Sequence, residues 1–211
     1  MLDGDDVLAR RFELMERGHA ERLAPMVREI MQEAGVAFGA IDRIAVTVGP
    51  GTFTGQRVGY AFARGLRLAI KRPLIGVTTL AAMAQAAMAE TGARGAAVLH
   101  DAKRGEVYAS AMVGTSTLVP PRLTTIDEAL HALIEQIHTR NDPVAFAGTA
   151  GAPAAEKWRE LGGAATATDI RAPDAVWVGR LALGEPEPEA VPGPLYLRPP
   201  DARLPAKGGG P

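Results

Sequence analysis

The chain has 211 residues, 47% of them hydrophobic, enough to bury a core in one large or two small domains. Its 23 Lys and Arg offset 24 Asp and Glu, leaving a formal charge of −1, which argues against a protein whose main task is to grip nucleic acid by its phosphates. There is no cysteine, so disulfides, thiolate catalysis and cysteine-bound zinc or iron–sulfur centres are excluded. No apolar run approaches the roughly 20 residues that span a bilayer. Met1 to Arg11 is too charged for a signal peptide, so a soluble cytoplasmic protein is expected.

In chain order, Asp3-Gly4 reads as a hairpin turn leading into a strand near Val7 to Leu14. Ala20 to Ala34 sets Leu23, Met26, Val27, Ile30, Met31 and Ala34 on one helical stripe, with Gly35 as its stop. Ile44 to Val48 is a buried strand, Gly49-Pro50-Gly51 a sharp turn, and a second helix opens at Thr52 to Thr54 and runs to Ile70, before Pro73. Thr52 or Thr54 caps that helix. Leu74 to Thr78 is a strand, and Thr78 or Thr79 caps a third helix, rich in alanine and methionine, through about Glu90.

Gly95 to Leu99 predicts another strand, turning at Lys103-Arg104-Gly105 into a partner from Glu106 to Met112. Thr125-x-x-Glu128 is a capping box for a helix carrying Ile126, Leu130, Leu133, Ile134 and Ile137. A short strand at Val144 to Ala147 ends at Gly148, and helices follow near Ala154 to Leu161 and Ala175 to Leu183. Glu185 to Glu189 is an exposed linker, Pro194 to Arg198 a final strand or docking arm, and Lys207 to Pro211 a disordered tail. Strands alternating with helices give an α/β architecture.

A strand passing through a glycine turn into a helix N-terminus is the general geometry of an anion or phosphate site, here Gly49, Pro50, Gly51, Thr52 and Thr54. A tight, well-capped connection without ligand explains the same residues. The second helix carries a small-residue ridge, Gly55, Gly59 and Ala63, and each helical glycine costs about 0.8–1.0 kcal/mol relative to alanine. Close approach of another backbone is the usual compensation, either the chain's own sheet or a partner helix. Arg57, Arg64, Arg67 and Lys71 line the exposed side, as a solvated basic face or as a surface for an acidic partner. His19, His100, His131 and His138 lack metal-ligand spacing, and Asp101, Arg104 and Glu106 read as a charged hairpin turn rather than an acid–base pair.

Ile44 to Gly59, followed by Pro73-Leu-Ile-Gly-Val-Thr-Thr-Leu80, Asp101-Ala-Lys-Arg-Gly-Glu-Val-Tyr108 and Pro194-Leu-Tyr-Leu-Arg198, resembles the TsaB (formerly YeaZ) family in four ordered blocks. The resemblance implies a two-lobed actin/Hsp70/sugar-kinase-like fold, with an N-terminal lobe over residues 1–95, a C-terminal lobe over 96–200 and a tail at 201–211. It implies a subunit without catalysis of its own that activates a larger paralogue, TsaD, joined by an ATPase, TsaE. The assembly transfers threonylcarbamoyl to N6 of adenosine 37 in tRNAs reading codons that begin with A. The implied partner or self-association surface comprises Leu23, Met26, Val27 and Ile30 with Gly55, Arg57, Gly59, Phe62, Ala63 and Leu66. No cofactor or metal is expected in this chain; ATP or ADP would sit at the complex interface, and tRNA would be met only through the complex.

Family members begin with a phosphate-facing strand hairpin before the turn that matches Asp3-Gly4. By analogy roughly 15–20 residues, at about 3.3 Å each enough for two strands, precede that point. In folds of this type the first strand is central, between the strand near Val7 and the strand at Ile44, so its absence is expected to strand two rows of backbone hydrogen-bonding groups unless the remaining strands close the gap. A start assigned too far downstream is the expected reading, ahead of a shortened chain. The competing function is an enzyme, either a glycoprotease-like peptidase or a phosphotransferase of the same fold. Against it stand the lack of a Ser/His/Asp arrangement, of His-Glu-x-x-His and of cysteine.

Overall fold

The computed structural model describes residues 1–15, 17–136 and 142–198; Ile137, His138 and the expected tail lie outside them. Strands β1 (Leu2–Asp3) and β2 (Asp6–Val7) form a small antiparallel hairpin around Gly4, followed by helix α1 (His19–Ala34). Then come β3 (Ile44–Gly49), α2 (Phe53–Ile70), β4 (Leu74–Thr78) and α3 (Thr79–Thr91). The second half holds β5 (Gly95–Lys103), β6 (Glu106–Val113), β7 (Ser116–Thr124), α4 (Ile126–Gln136), β8 (Val144–Ala147), α5 (Gly151–Glu160), β9 (Ala165–Ala167) and α6 (Ala175–Leu183).

The second half is one sheet in the order β7-β6-β5-β8-β9. Strand β5 is nearly unbroken in apolar residues because both its faces are covered. Ala97 and Leu99 pack with Leu130, Leu133, Phe146 and Trp158 under α4 and α5, while Ala96 and Val98 pack under the buried Leu80, Met83 and Ala87 of α3. The Thr125–Glu128 box closes as the sequence requires: the Thr125 hydroxyl accepts from the Glu128 N–H and the Glu128 carboxylate accepts from the Thr125 N–H. Bonds from the Thr124 hydroxyl and from Thr125 hold that carboxyl below its usual pKa.

In the first half, β3 and β4 form a two-stranded parallel pair. Helix α6 returns to cover it, burying Val178 and Ala182 against Ile75, Val77 and Ala82. The Arg43 guanidinium reaches the carbonyls at the end of α6, donating to Ala182 at 2.8 Å and Glu185 at 3.0 Å. Helix α3 therefore serves both halves. The Ile44 N–H bonds the Pro73 carbonyl, so the parallel register turns the backbone groups of Ile44 and Val46 to β4 and those of Ala45 and Thr47 the other way. Among the described residues β3 has no strand neighbour on that other edge, and the β1–β2 hairpin does not close onto it.

One expectation is corrected. The strand near Val7 to Leu14 stops at Val7. Beyond bonds that tie Leu8 and Ala9 to Met1, residues 8–15 have no ladder to join among the described residues, and ion pairs fix them instead: Arg10 with Asp174, Arg11 with Glu33, and Glu13 with Arg22. Strand β7, which contains Pro120 and Pro121, has no counterpart among the sequence-based expectations. It is an edge strand whose register shifts against β6 between Ala109 and Ala111, which leaves room for residues without N–H groups. Of the two readings left open for Pro194 to Arg198, the segment is an arm outside both sheets.

Candidate functional site

The turn between β3 and α2 has Gly49 at φ +106 followed by a cis bond to Pro50, a conformation that glycine adopts without strain. Of the two candidate caps Thr52 serves: its hydroxyl accepts from the Gly55 N–H at 3.2 Å, and its carbonyl accepts from the Gln56 N–H at 3.0 Å. The space over the turn belongs to Gln56. A Cβ on Gly49 would meet Gln56 Nε2 at 2.7 Å, and one on Gly51 would meet it at 3.5 Å. Gln56 Oε1 is buried without a hydrogen-bond partner. The carboxamide thus lies over the turn, with its donor, Nε2, closest to Gly49 and Gly51. Thr54 is exposed and makes no cap.

The three small residues of the α2 ridge separate by role. Gly55 is needed by the chain itself, since a Cβ there would lie 2.8 Å from the Thr52 hydroxyl and displace the cap. Ala63 is 5% exposed and packs inward. Gly59 is different: a Cβ there meets nothing within 4 Å, so its lack of a side chain answers no internal constraint. Around it, Phe62 and Leu66 are half-buried, Arg57 and Arg64 are exposed, and Leu68 is 70% exposed. The Arg64 guanidinium lies 5.7 Å from the ring centre of Tyr60.

Helix α1 packs beside α2. Its stripe residues Leu23, Met26, Val27 and Ile30 are half-buried and Met31 is buried. Arg22 holds α1 to the preceding segment by bonding Glu13 and, two turns further along the helix, Glu29 at 2.6 Å. Those two carboxylates push the Arg22 pKa upward, and hydrogen bonding to Arg22 lowers both of theirs. The α1–α2 surface thus joins apolar patches, an open glycine and flanking arginines on two rigid helices.

The remaining chemistry-bearing residues are engaged elsewhere. Asp101 pairs with Lys103 at 2.8 Å, which lowers its pKa, and Glu106 pairs with Arg198 at 2.7 Å. His100 lies on β5 with Nδ1 buried and unpaired, and burial lowers its pKa. His19 opens α1 and His131 is exposed on α4. No group of three potential metal ligands occurs among the described residues.

Residues 13–169 match the family model described as TsaD, tRNA N6-adenosine threonylcarbamoyltransferase. The chain is 31% identical over 185 residues to the tRNA threonylcarbamoyladenosine biosynthesis protein TsaB of Haemophilus influenzae, covering 82% of this chain and 75% of that one. The chain belongs to the TsaB (YeaZ) family. The Escherichia coli TsaB is 42% identical over 104 residues, which are 49% of this chain and 45% of that protein. The aligned part thus spans under half the length of that relative. A Pseudomonas aeruginosa structure described as an uncharacterized protein with similarity to peptidase YEAZ superposes with a TM-score of 0.66 at 32% identity, covering 89% of this chain and 88% of that one. With these neighbours, the mixed α/β chain has the two-lobed actin/Hsp70/sugar-kinase-like fold.

Sequence reasoning found the turn and both helices but missed Gln56, whose only signal was its place one helical turn after the Gly-Pro-Gly bend. It also grouped Gly55 with Gly59, although the first serves the cap and only the second is open.

Proposed function

We propose that this chain is a non-catalytic subunit of the assembly that adds threonylcarbamoyl to N6 of adenosine 37 in tRNAs reading codons that begin with A. It acts by docking its α1–α2 surface on a TsaD-like catalytic paralogue. The observation that carries the docking site is Gly59, a helical glycine with open space outside it and no internal use. Such a notch lets a second helix approach the backbone closely, with Phe62 and Leu66 beside it and arginines at the rim. The relatives' names, all from tRNA threonylcarbamoyladenosine biosynthesis, supply the pathway.

On this reading a TsaE-like ATPase joins the pair, and two copies of the chain use the same helices when the paralogue is absent. Transfer RNA is met only through the complex, in the cytoplasm; no helix among the described residues is long and apolar enough to cross a membrane. Nucleotide, ATP or ADP, belongs to the assembled interface, since Gln56 lies over the turn of this chain. No observation favours a peptidase or phosphotransferase. The test is reconstitution: purified TsaD-like and TsaE-like subunits with tRNA, threonylcarbamoyl-adenylate and ATP should modify tRNA only when this chain is added. Equal modification without it would overturn the reading.

A further inference from the structure

Residues 191–198 follow an exposed stretch, 183–190, and lie down across both halves of the molecule. At the near end, the Tyr60 hydroxyl of α2 donates to the Pro192 carbonyl. Pro192 itself fills the gap left by Gly76 of β4, where a Cβ would stand 2.7 Å from the proline ring. In the middle, the Leu195 N–H donates to the Val48 carbonyl at 2.7 Å, at the end of β3. At the far end the Arg198 guanidinium bonds Glu106 at 2.7 Å and reaches the Lys103 carbonyl, both on the β5–β6 hairpin of the other half. In seven residues the arm touches α2, β3, β4, β5 and β6.

The other principal tie between the halves is α3, buried under the large sheet on one side and against β4 and α6 on the other. Beside α3 the chain also crosses back through residues 168–174, where the Thr168 N–H bonds the Phe146 carbonyl and the Gly148 N–H bonds the Ile170 carbonyl. Two bodies joined along one such line can rock about it unless a tie away from it closes them. We propose that residues 191–198 are that tie, a clasp anchored on β4 and α2 and latched by Arg198 on Glu106, and that the two halves open about α3 when the latch is released. The anchor and the latch differ in kind. The anchor is Pro192, seated against Gly76 and held by the Tyr60 hydroxyl, and the Leu195–Val48 bond lies between it and the latch, so it loosens when the latch is released. The latch is an ion pair whose side chains are 19% and 38% exposed, which salt can weaken. The exposed 183–190 stretch, with its three glutamates and two prolines, gives the arm slack to leave without unfolding α6.

The inference concerns the isolated chain and stands apart from the docking role of α1 and α2. Hydrogen–deuterium exchange on the full chain tests it through the Leu195 amide, whose acceptor is Val48. Arg198→Ala should speed exchange at Leu195 about fivefold, with a parallel rise in the 103–106 turn, while amides of β8 stay protected. Raising salt from about 0.05 to 1 M should do the same to the wild-type chain and add little to the variant. Glu106→Gln, which removes only charge, is the control against misfolding and should reproduce the larger part of the effect. Exchange at Leu195 that responds to neither substitution nor to salt would overturn the clasp. So would a rise spread equally over β8, which would make Arg198 a general support of the fold.

Discussion

The five-stranded sheet and the β3–β4 pair solve the same problem to different degrees. The five-stranded sheet is covered by helices on both faces, and Phe146 of β8 and Trp158 of α5, packed on one of them, are fully buried. The β3–β4 pair has α6 over one face and α2 packed on β3, yet every residue from Ile44 to Val48 is only half-buried, and among the described residues β3 has a strand on one edge only. The second half, with α3 laid on it, therefore encloses a full core, while among the described residues the first half carries surfaces left largely uncovered: most of the β3 edge, the Gly59 notch and the exposed Leu68. Stability and recognition are divided between the halves.

That division can be broken or sharpened by substitution. Trp158→Ala should cost about 3–5 kcal/mol in chemical denaturation, since it empties the densest part of the core and strands its partner, the Ala164 carbonyl, which now accepts the indole N–H at 3.1 Å. Val46→Ala on β3 should cost only about 1 kcal/mol, because its side chain is half in water already. Comparable losses at the two sites would erase the contrast. Thr52→Ala should lose about 1 kcal/mol of helix stability as the Gly55 N–H goes unpaired, read as a lower melting temperature with an unchanged far-ultraviolet spectrum.

A smaller effect should appear on acidification. Burial holds the His100 pKa below its ordinary 6.5, so the unfolded chain takes up a proton more readily than the folded one. The stability present at neutral pH should decline as pH falls through about 6.5 and level off below the folded pKa. His100→Gln should flatten that slope between pH 7.5 and 5.5, measured by urea midpoints; an identical slope in the variant would remove His100 from the account.

Much of the fold was legible because local chemistry and tertiary demand agree. The Gly-Pro-Gly bend, the Thr125–Glu128 box and Gly35 each do in the structure what their residue types require. Strand β7 was hidden because its prolines are tolerated only at a sheet edge, a property of the assembled sheet and not of the segment. Residues 8–14 failed the opposite way: a strand pattern needs a neighbour to become a strand. At the site, spacing alone could not separate Gly55 from Gly59, because the distinction lies in what stands over each, a threonine hydroxyl or open space.

The most direct test of the central claim is the affinity of Gly59→Leu for a TsaD-like subunit, measured by titration calorimetry beside the wild-type chain. A Cβ there meets no atom within 4 Å, and leucine improves helix propensity by about 0.5–1 kcal/mol, so the free variant should melt at the same temperature or higher. Its binding should nonetheless fall about a hundredfold or more, because the side chain occupies the space a partner helix needs. A variant that binds as tightly as the wild type would contradict the assignment of the α1–α2 surface.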